Sequence, residues 1–235
     1  MFGNKYSKTL TVVLIIVIIA IVGLLIFFGI DVYRKFYIEQ ASGEAMGDFQ
    51  NQIANIVSRP QGNEVNTNTY GPSVDLNTLY QNTTTGDGNN IDDGNAHVTY
   101  MGYEMIGTIE IPATDVEYPI IADSDASVNS LNVAIVKLYP ATIGLNEVGN
   151  TVLVGHNYRN GTFFSNNKRL QLGDEIYITD TTGRRIRYEI TRKYETSTGD
   201  STYMNRDTNG KREISLSTCT DDTTRRLIIW AVEAE

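Results

Sequence analysis

The hydrophobic pattern divides the chain into four regions. From Leu10 to Ile30, "LTVVLIIVIIAIVGLLIFFGI" runs 21 residues without a charge. As a helix that is roughly 30 Å, the thickness of a bilayer's hydrocarbon core. The run exceeds a secretory h-region and no small-x-small cleavage site closes it, so it is expected to be an uncleaved signal anchor behind a short tail, residues 1–9. From Asp31 the chain turns polar but stays periodic: Met46, Phe49, Ile53, Ile56 and Val57 recur at helical spacing and form one narrow apolar face. This predicts a juxtamembrane helix over 31–60, with Pro60 at its end. Its face would suit the remainder of the chain, a second copy, or a free stalk, and the pattern does not choose.

Residues 61–98 lose the periodicity. The segment is mostly Asn, Thr, Gly and Asp, and no Lys or Arg occurs between Arg59 and Lys137. So little apolar surface cannot offset the entropy of ordering, which predicts a flexible tether. "GDGNNIDDG" within it has acids, but not at the spacing of a calcium loop.

From residue 99 to 235 the period changes to two. "MIGTIEIP", "VEYPIIA", "SLNVAIVKLY", "NTVLVGHN", "DEIYITD", "RRIRYEITRKY", "REISLSTC" and "RRLIIWAVE" read as strands, and "TFFSNNKRL" as a helical turn. About eight strands in this length predict an all-β fold, a sandwich or barrel with its own core.

Composition narrows the chemistry. A net charge of −9, with scattered Lys and Arg, argues against a nucleic-acid partner. A single cysteine excludes an internal disulfide and any Cys-only metal site, and two histidines are too few for a zinc site, so no metal is expected.

That cysteine, Cys219, ends a strand. If "DDTT" (221–224) is a four-residue hairpin loop, Thr220 faces Arg225 and Cys219 faces Arg226. Opposed residues share a face, so Arg226 is the cysteine's neighbour and Arg225 points away; a one-residue slip would exchange them. A guanidinium beside a thiol favours the thiolate and can hold an oxyanion. His156 follows Gly155 at the exit of an apolar strand, where a side chain can lean over a groove and act as acid or base. No role is assigned to His97.

These pieces resemble a sortase, the membrane-anchored cysteine transpeptidases of Gram-positive bacteria. The resemblance rests on "SLSTC" (215–219), "RRLIIW" (225–230) and "VGH" (154–156), supported by "IGTIEIP", "YPATIGLNEVGNTVLVGHN", "GTFF" and "LGDEIYI". Ser215 stands where the family's cysteine motif usually opens with Thr, and Lys137 lies near a place often held by histidine. No Asp-Pro-aromatic lid precedes the barrel, and the pattern leans to the second (B) or fourth (D) class.

The resemblance implies a closed or nearly closed eight-stranded barrel with short helical turns, and no cofactor. It also implies an anchored protein with a cytoplasmic N-terminus and an extracellular catalytic domain. Its partners would be surface proteins carrying a sorting signal similar to Leu-Pro-x-Thr-Gly and the amine of a cell-wall precursor. Cys219 would attack the Thr–Gly carbonyl, His156 would serve as acid and base, and Arg226 would hold the oxyanion. Ser217, Thr218, Thr220 and Asn157 would contact substrate, and the stretch 191–211 would shape the groove. A thiol endopeptidase of the same fold and a non-catalytic anchored β-barrel that only binds are the competing expectations.

Overall fold

A computed structural model of the chain describes residues 3–58, 94–122 and 126–234. Residues 59–93, which hold Pro60, most of the expected tether and the segment in which no lid motif was found in the sequence, lie outside the described residues.

The apolar run and the periodic segment form one continuous helix, α1 (Gly3–Val57). Between Leu10 and Ile30 its side chains are exposed, and this stretch is long and apolar enough to cross a membrane. Beyond it the narrow apolar face packs on the strands. Ile38, Ser42, Ala45, Met46 and Phe49 are buried, a spacing of three and four that keeps them on one side of a helix. Val57, expected on that face, is exposed, because the helix ends there. Of the open choices for this face, the structure takes packing on the rest of the chain. Gln52 adds a polar clamp: its Oε1 accepts from the His97 N–H at 2.8 Å and its Nε2 donates to the His97 carbonyl at 3.0 Å.

Among the described residues nine strands follow: β1 (Val98–Tyr100), β2 (Tyr103–Ile111), β3 (Val116–Ala122), β4 (Ile135–Tyr139), β5 (Gly149–Val154), β6 (Glu175–Asp180), β7 (Arg185–Ser197), β8 (Arg212–Cys219) and β9 (Arg225–Glu233). Eight close a barrel in the order β2-β3-β4-β5-β8-β9-β7-β6, with β6 returning to β2. Every neighbouring pair is antiparallel except β3–β4 and β5–β8. Strand β1 stands outside the ring as an extension paired to β2. It begins at Val98, inside the segment expected to be tether. Three residues of strand are too short for a period to register in the sequence.

"SLNVAIVKLY" is not strand throughout. Ser127 caps a one-turn helix, α2 (Val128–Leu131), accepting from the Ser130 N–H, and the strand starts at Ile135. The turn expected at "TFFSNNKRL" is a 3-10 turn over Asn167–Arg169.

Alternation sets the barrel's two faces. Ile109, Ile120, Leu153, Ile178, Ile214, Leu216 and Ile229 point inward and are fully or almost fully buried. Each such side chain contributes about 1.5–3 kcal/mol of burial. Outside, α1 covers a second apolar cluster with Met105, Ile121 and Val136. A third, Val152, Tyr203 and Ile228, lies beneath the connection from β7 to β8.

Candidate active site

Strand β8 carries the cysteine and lies between β5 and β9. On one side Thr218 pairs with Leu227 and Cys219 with Arg226, the register that a four-residue loop requires. On the other side Leu216 pairs with Leu153 and Ser217 with Val154 in parallel. Two further bonds carry this pairing past the end of β5: Gly155 N–H donates to the Ser217 carbonyl at 3.3 Å, and Thr218 Oγ1 donates to the Gly155 carbonyl at 2.7 Å. The next step along β5 is His156, at the level of Cys219.

All three residues belong to the barrel's outer face. Leu153, Leu216, Leu227 and Ile229 are in the interior cluster, so by alternation Val154, Ser217 and Ile228 face out, as do His156, Cys219 and Arg226. Each of the three is half-buried. Within the described residues the thiol is a free cysteine and makes no hydrogen bond to the imidazole or the guanidinium.

The backbone bends sharply after the histidine. Phe164 N–H returns to the His156 carbonyl at 3.1 Å, and Asn157 bridges Phe163. A Cβ on Gly155 would come within 2.9 Å of the Phe164 ring, so only glycine lets that ring lie against the strand exit. Arg159 and Phe163 take positive φ values of 59° and 48°. Such conformations cost about 1–3 kcal/mol each and persist where the surroundings hold them. Phe163 is held by full burial against Tyr118, with centroids 4.9 Å apart.

His156 resists protonation. Burial pushes its pKa below the ordinary 6.5, and the positive charge of Arg34 on α1 pushes the same way. The neutral imidazole is therefore the form present near pH 7.

A cleft of about 540 Å³ opens at the β8–β9 hairpin, lined by Cys219 together with Asn157, Phe164, Lys168, Tyr194 and Asp221. His156 and Arg226 are not in its wall; Arg226 pairs with Cys219 across β8 and β9, and His156 lies two residues past the end of β5. Asn157 Nδ2 donates to the Cys219 carbonyl at 3.1 Å and to Asp221 Oδ1 at 2.9 Å, while Lys168 Nζ holds Asp221 Oδ2 at 2.5 Å. These bonds tie the loop after the histidine to the strand end that carries Cys219. The hydrogen bond from Lys168, then that from Asn157, holds the Asp221 carboxyl below the usual carboxylate range.

Of the expected substrate contacts, Asn157, Thr218 and Thr220 line the cleft and Ser217 does not. Ser217 is buried with its Oγ 3.2 Å from the Tyr203 hydroxyl. Thr218 is buried with its hydroxyl on Gly155, and Thr220 donates to Asp222 Oδ1 at 2.6 Å. The hydroxyls of Ser217 and Thr218 thus brace the strand end.

The stretch 191–211 divides in two. Its first part belongs to β7, and the connection 198–211 lies over the outer face of β5, β8 and β9. Asn150 fixes it by donating to the carbonyls of Tyr203 and Met204 at 3.0 and 2.9 Å. Arg206 ion-pairs with Glu213 and stacks 4.0 Å from the Trp230 ring.

Sequence patterning had no means of singling out Arg34, Tyr158 or Lys168. Arg34 and Lys168 reach the site from elements remote in sequence, and Tyr158 through the fold of the loop.

The Sortase domain family model matches residues 109–234, more than half of the chain. The chain belongs to the sortase family. A sortase D5 transpeptidase of Clostridium perfringens is 30% identical, with a TM-score of 0.49 over 56% of this chain and 79% of that one. The lid mutant of sortase A from Corynebacterium diphtheriae is 22% identical, with a TM-score of 0.51 over 87% of this chain and 95% of its own. The pilus-related sortase C of Group B Streptococcus is 24% identical, with a TM-score of 0.50 over 56% and 68%. The latter two establish the likeness of fold. No curated protein matches the sequence.

Proposed function

We propose that this sortase cleaves a sorting signal similar to Leu-Pro-x-Thr-Gly between Thr and Gly and passes the acyl group to an amine of a cell-wall precursor. The observation that carries the reading is the register that sets Cys219 opposite Arg226 on β9 and brings His156, two residues past the end of β5, to the same level and outer face. The sulfur attacks the threonine carbonyl carbon as the neutral imidazole takes the thiol proton, forming a C–S bond. Collapse of the tetrahedral intermediate breaks the C–N bond, and the imidazolium returns the proton to the leaving glycine amine. The incoming amine then attacks the thioester, loses its proton to His156, and releases Cys219. Arg226 holds the oxyanion at both stages.

Asn157 and Thr220 are the proposed substrate contacts at the cleft, with Ser217 and Thr218 supporting the strand end. The protein is read as class B- or D-like, without a pilin-type lid. Its N-terminus is cytoplasmic, the helix from Leu10 to Ile30 crosses the membrane, and the barrel meets surface proteins outside.

The test incubates the protein with a sorting-signal peptide, with and without a large excess of amine, and follows products by mass spectrometry. A Cys219-linked acyl species and an amine adduct are expected. Hydrolysis alone under amine excess would instead make the protein a thiol endopeptidase, and an inert Cys219 would leave only a binding barrel.

A further inference from the structure

Helix α1 does more than lie on the barrel. Four residues beyond Ile30, about 6 Å along the helix axis, Arg34 and Lys35 meet the loop that follows His156. The Arg34 guanidinium lies 5.5 Å from the centroid of the Tyr158 ring. That ring in turn lies 4.9 Å from the His156 imidazole, and its hydroxyl donates to Asn132 Oδ1 at 2.8 Å. Lys35 Nζ donates to the Asn160 carbonyl at 3.2 Å, at the tip of the same loop. One turn further, buried Ile38 joins the core cluster that contains Phe163. Two cations and one apolar side chain of the anchor helix thus grip a loop that includes two residues of positive φ, Arg159 and Phe163.

We propose that Arg34 is a positioning residue for His156: carried on α1 four residues past the apolar span, it seats the Tyr158 ring and through it the imidazole. The anchor helix is then part of the catalytic machinery. The inference rests on the transpeptidase reading for its kinetic consequence, while the contact it describes does not.

Several features support the chain of contacts. A cation over an aromatic face is an oriented interaction, so it fixes a ring position as well as adding attraction. Tyr158 is held at its other end by Asn132, the residue that closes α2, so the ring is gripped from two elements. The titratable and charged groups that reach the imidazole or its loop are Arg34 and Lys35 from α1 and Tyr158 of the loop itself, with Cys219 of β8 and Arg226 of β9 on the same outer face. Of these, Arg34 is the charge that resists protonation of His156.

The experiment uses the full chain in detergent micelles, comparing wild type with Arg34→Met and Arg34→Lys. Acylation by a Leu-Pro-Ala-Thr-Gly peptide is read alongside the proton-NMR titration of the two histidines. Arg34→Met is expected to lower kcat about tenfold, the scale of a small misplacement of a reacting group, with KM nearly unchanged. His156 should titrate at higher pH in that variant, and Arg34→Lys should recover most of the rate. If the wild type acylates and Arg34→Met changes neither kcat nor the His156 titration, the proposal is overturned. A rate loss without any movement of the His156 titration, unrelieved by lysine, also overturns it, since Arg34 would then only seat the helix. If the wild type does not acylate but the titration moves as expected, the transpeptidase reading fails and the positioning contact stands.

Discussion

Cys219 of β8 faces Arg226 of β9 across an antiparallel pair, whereas Arg225 turns to the opposite face and lies near Glu195 of β7, 3.8 Å away as an exposed ion pair. The two arginines are adjacent in sequence and unequal in position. Arg226→Ala should therefore lower kcat by on the order of 10²–10³, the usual cost of removing one oxyanion donor. Arg225→Ala should change it less than about threefold, because exposed ion pairs contribute little. Steady-state kinetics on the two variants checks this, and equal losses would mean that the register does not determine the role.

Stability should depend on His156 below neutral pH. The fold resists charging this imidazole, so its pKa lies lower in the folded chain than in the unfolded one. The unfolded state then binds the proton more readily, and stability rises with pH. The contribution is complete above about pH 6.5, the unperturbed value, and is lost as pH falls through the folded pKa. Guanidinium midpoints between pH 7.5 and 5.5 should fall less steeply in His156→Gln than in wild type; parallel slopes would contradict the direction of the shift.

Gly155→Ala tests the close approach before the histidine. The added methyl would meet the Phe164 ring at 2.9 Å, so either the ring or the strand exit must move. The expected loss is about 1–3 kcal/mol of stability, the range for overpacking a tight site. A fall in kcat larger than that of a control of similar stability cost should accompany it. Full activity in a destabilised variant would show that the displacement does not reach His156.

Phe49 is the most deeply buried side chain of the helix face, 1% exposed. Phe49→Ala should cost about 3–5 kcal/mol, as for other large-to-small core changes. In the full chain this should appear as lost amide-exchange protection over residues 38–57 while the barrel strands stay protected. Unchanged protection would mean that the other side chains of the face suffice to hold α1.

Much of this was legible in the residues. Strands β8 and β9 match "REISLSTC" and "RRLIIWAVE" at both ends, because alternation and a four-residue turn leave little freedom of register. Strand β1 was not legible, since its three residues pair only because β2 offers an edge. Nor was α2, whose single turn depends on Ser127 capping a short segment of the connection between β3 and β4. The hydroxyls around the cysteine are polar in sequence, yet burial turns those of Ser217 and Thr218 into internal braces.

By itself the sequence determined the long apolar helix, the eight strands of the ring, and the opposition of Cys219 to Arg226, because these follow from local period and loop length. Tertiary structure alone decided the rest. It closed the ring through β2 and β6, set β5 beside β8 so that His156 arrives level with a cysteine 63 positions later, and chose the barrel as the surface that α1 covers. The contact of Arg34 with Tyr158 belongs to this second group. The physical reason is that pairings between distant segments are selected by the joint burial of their apolar faces, a property of the whole chain that no single stretch encodes.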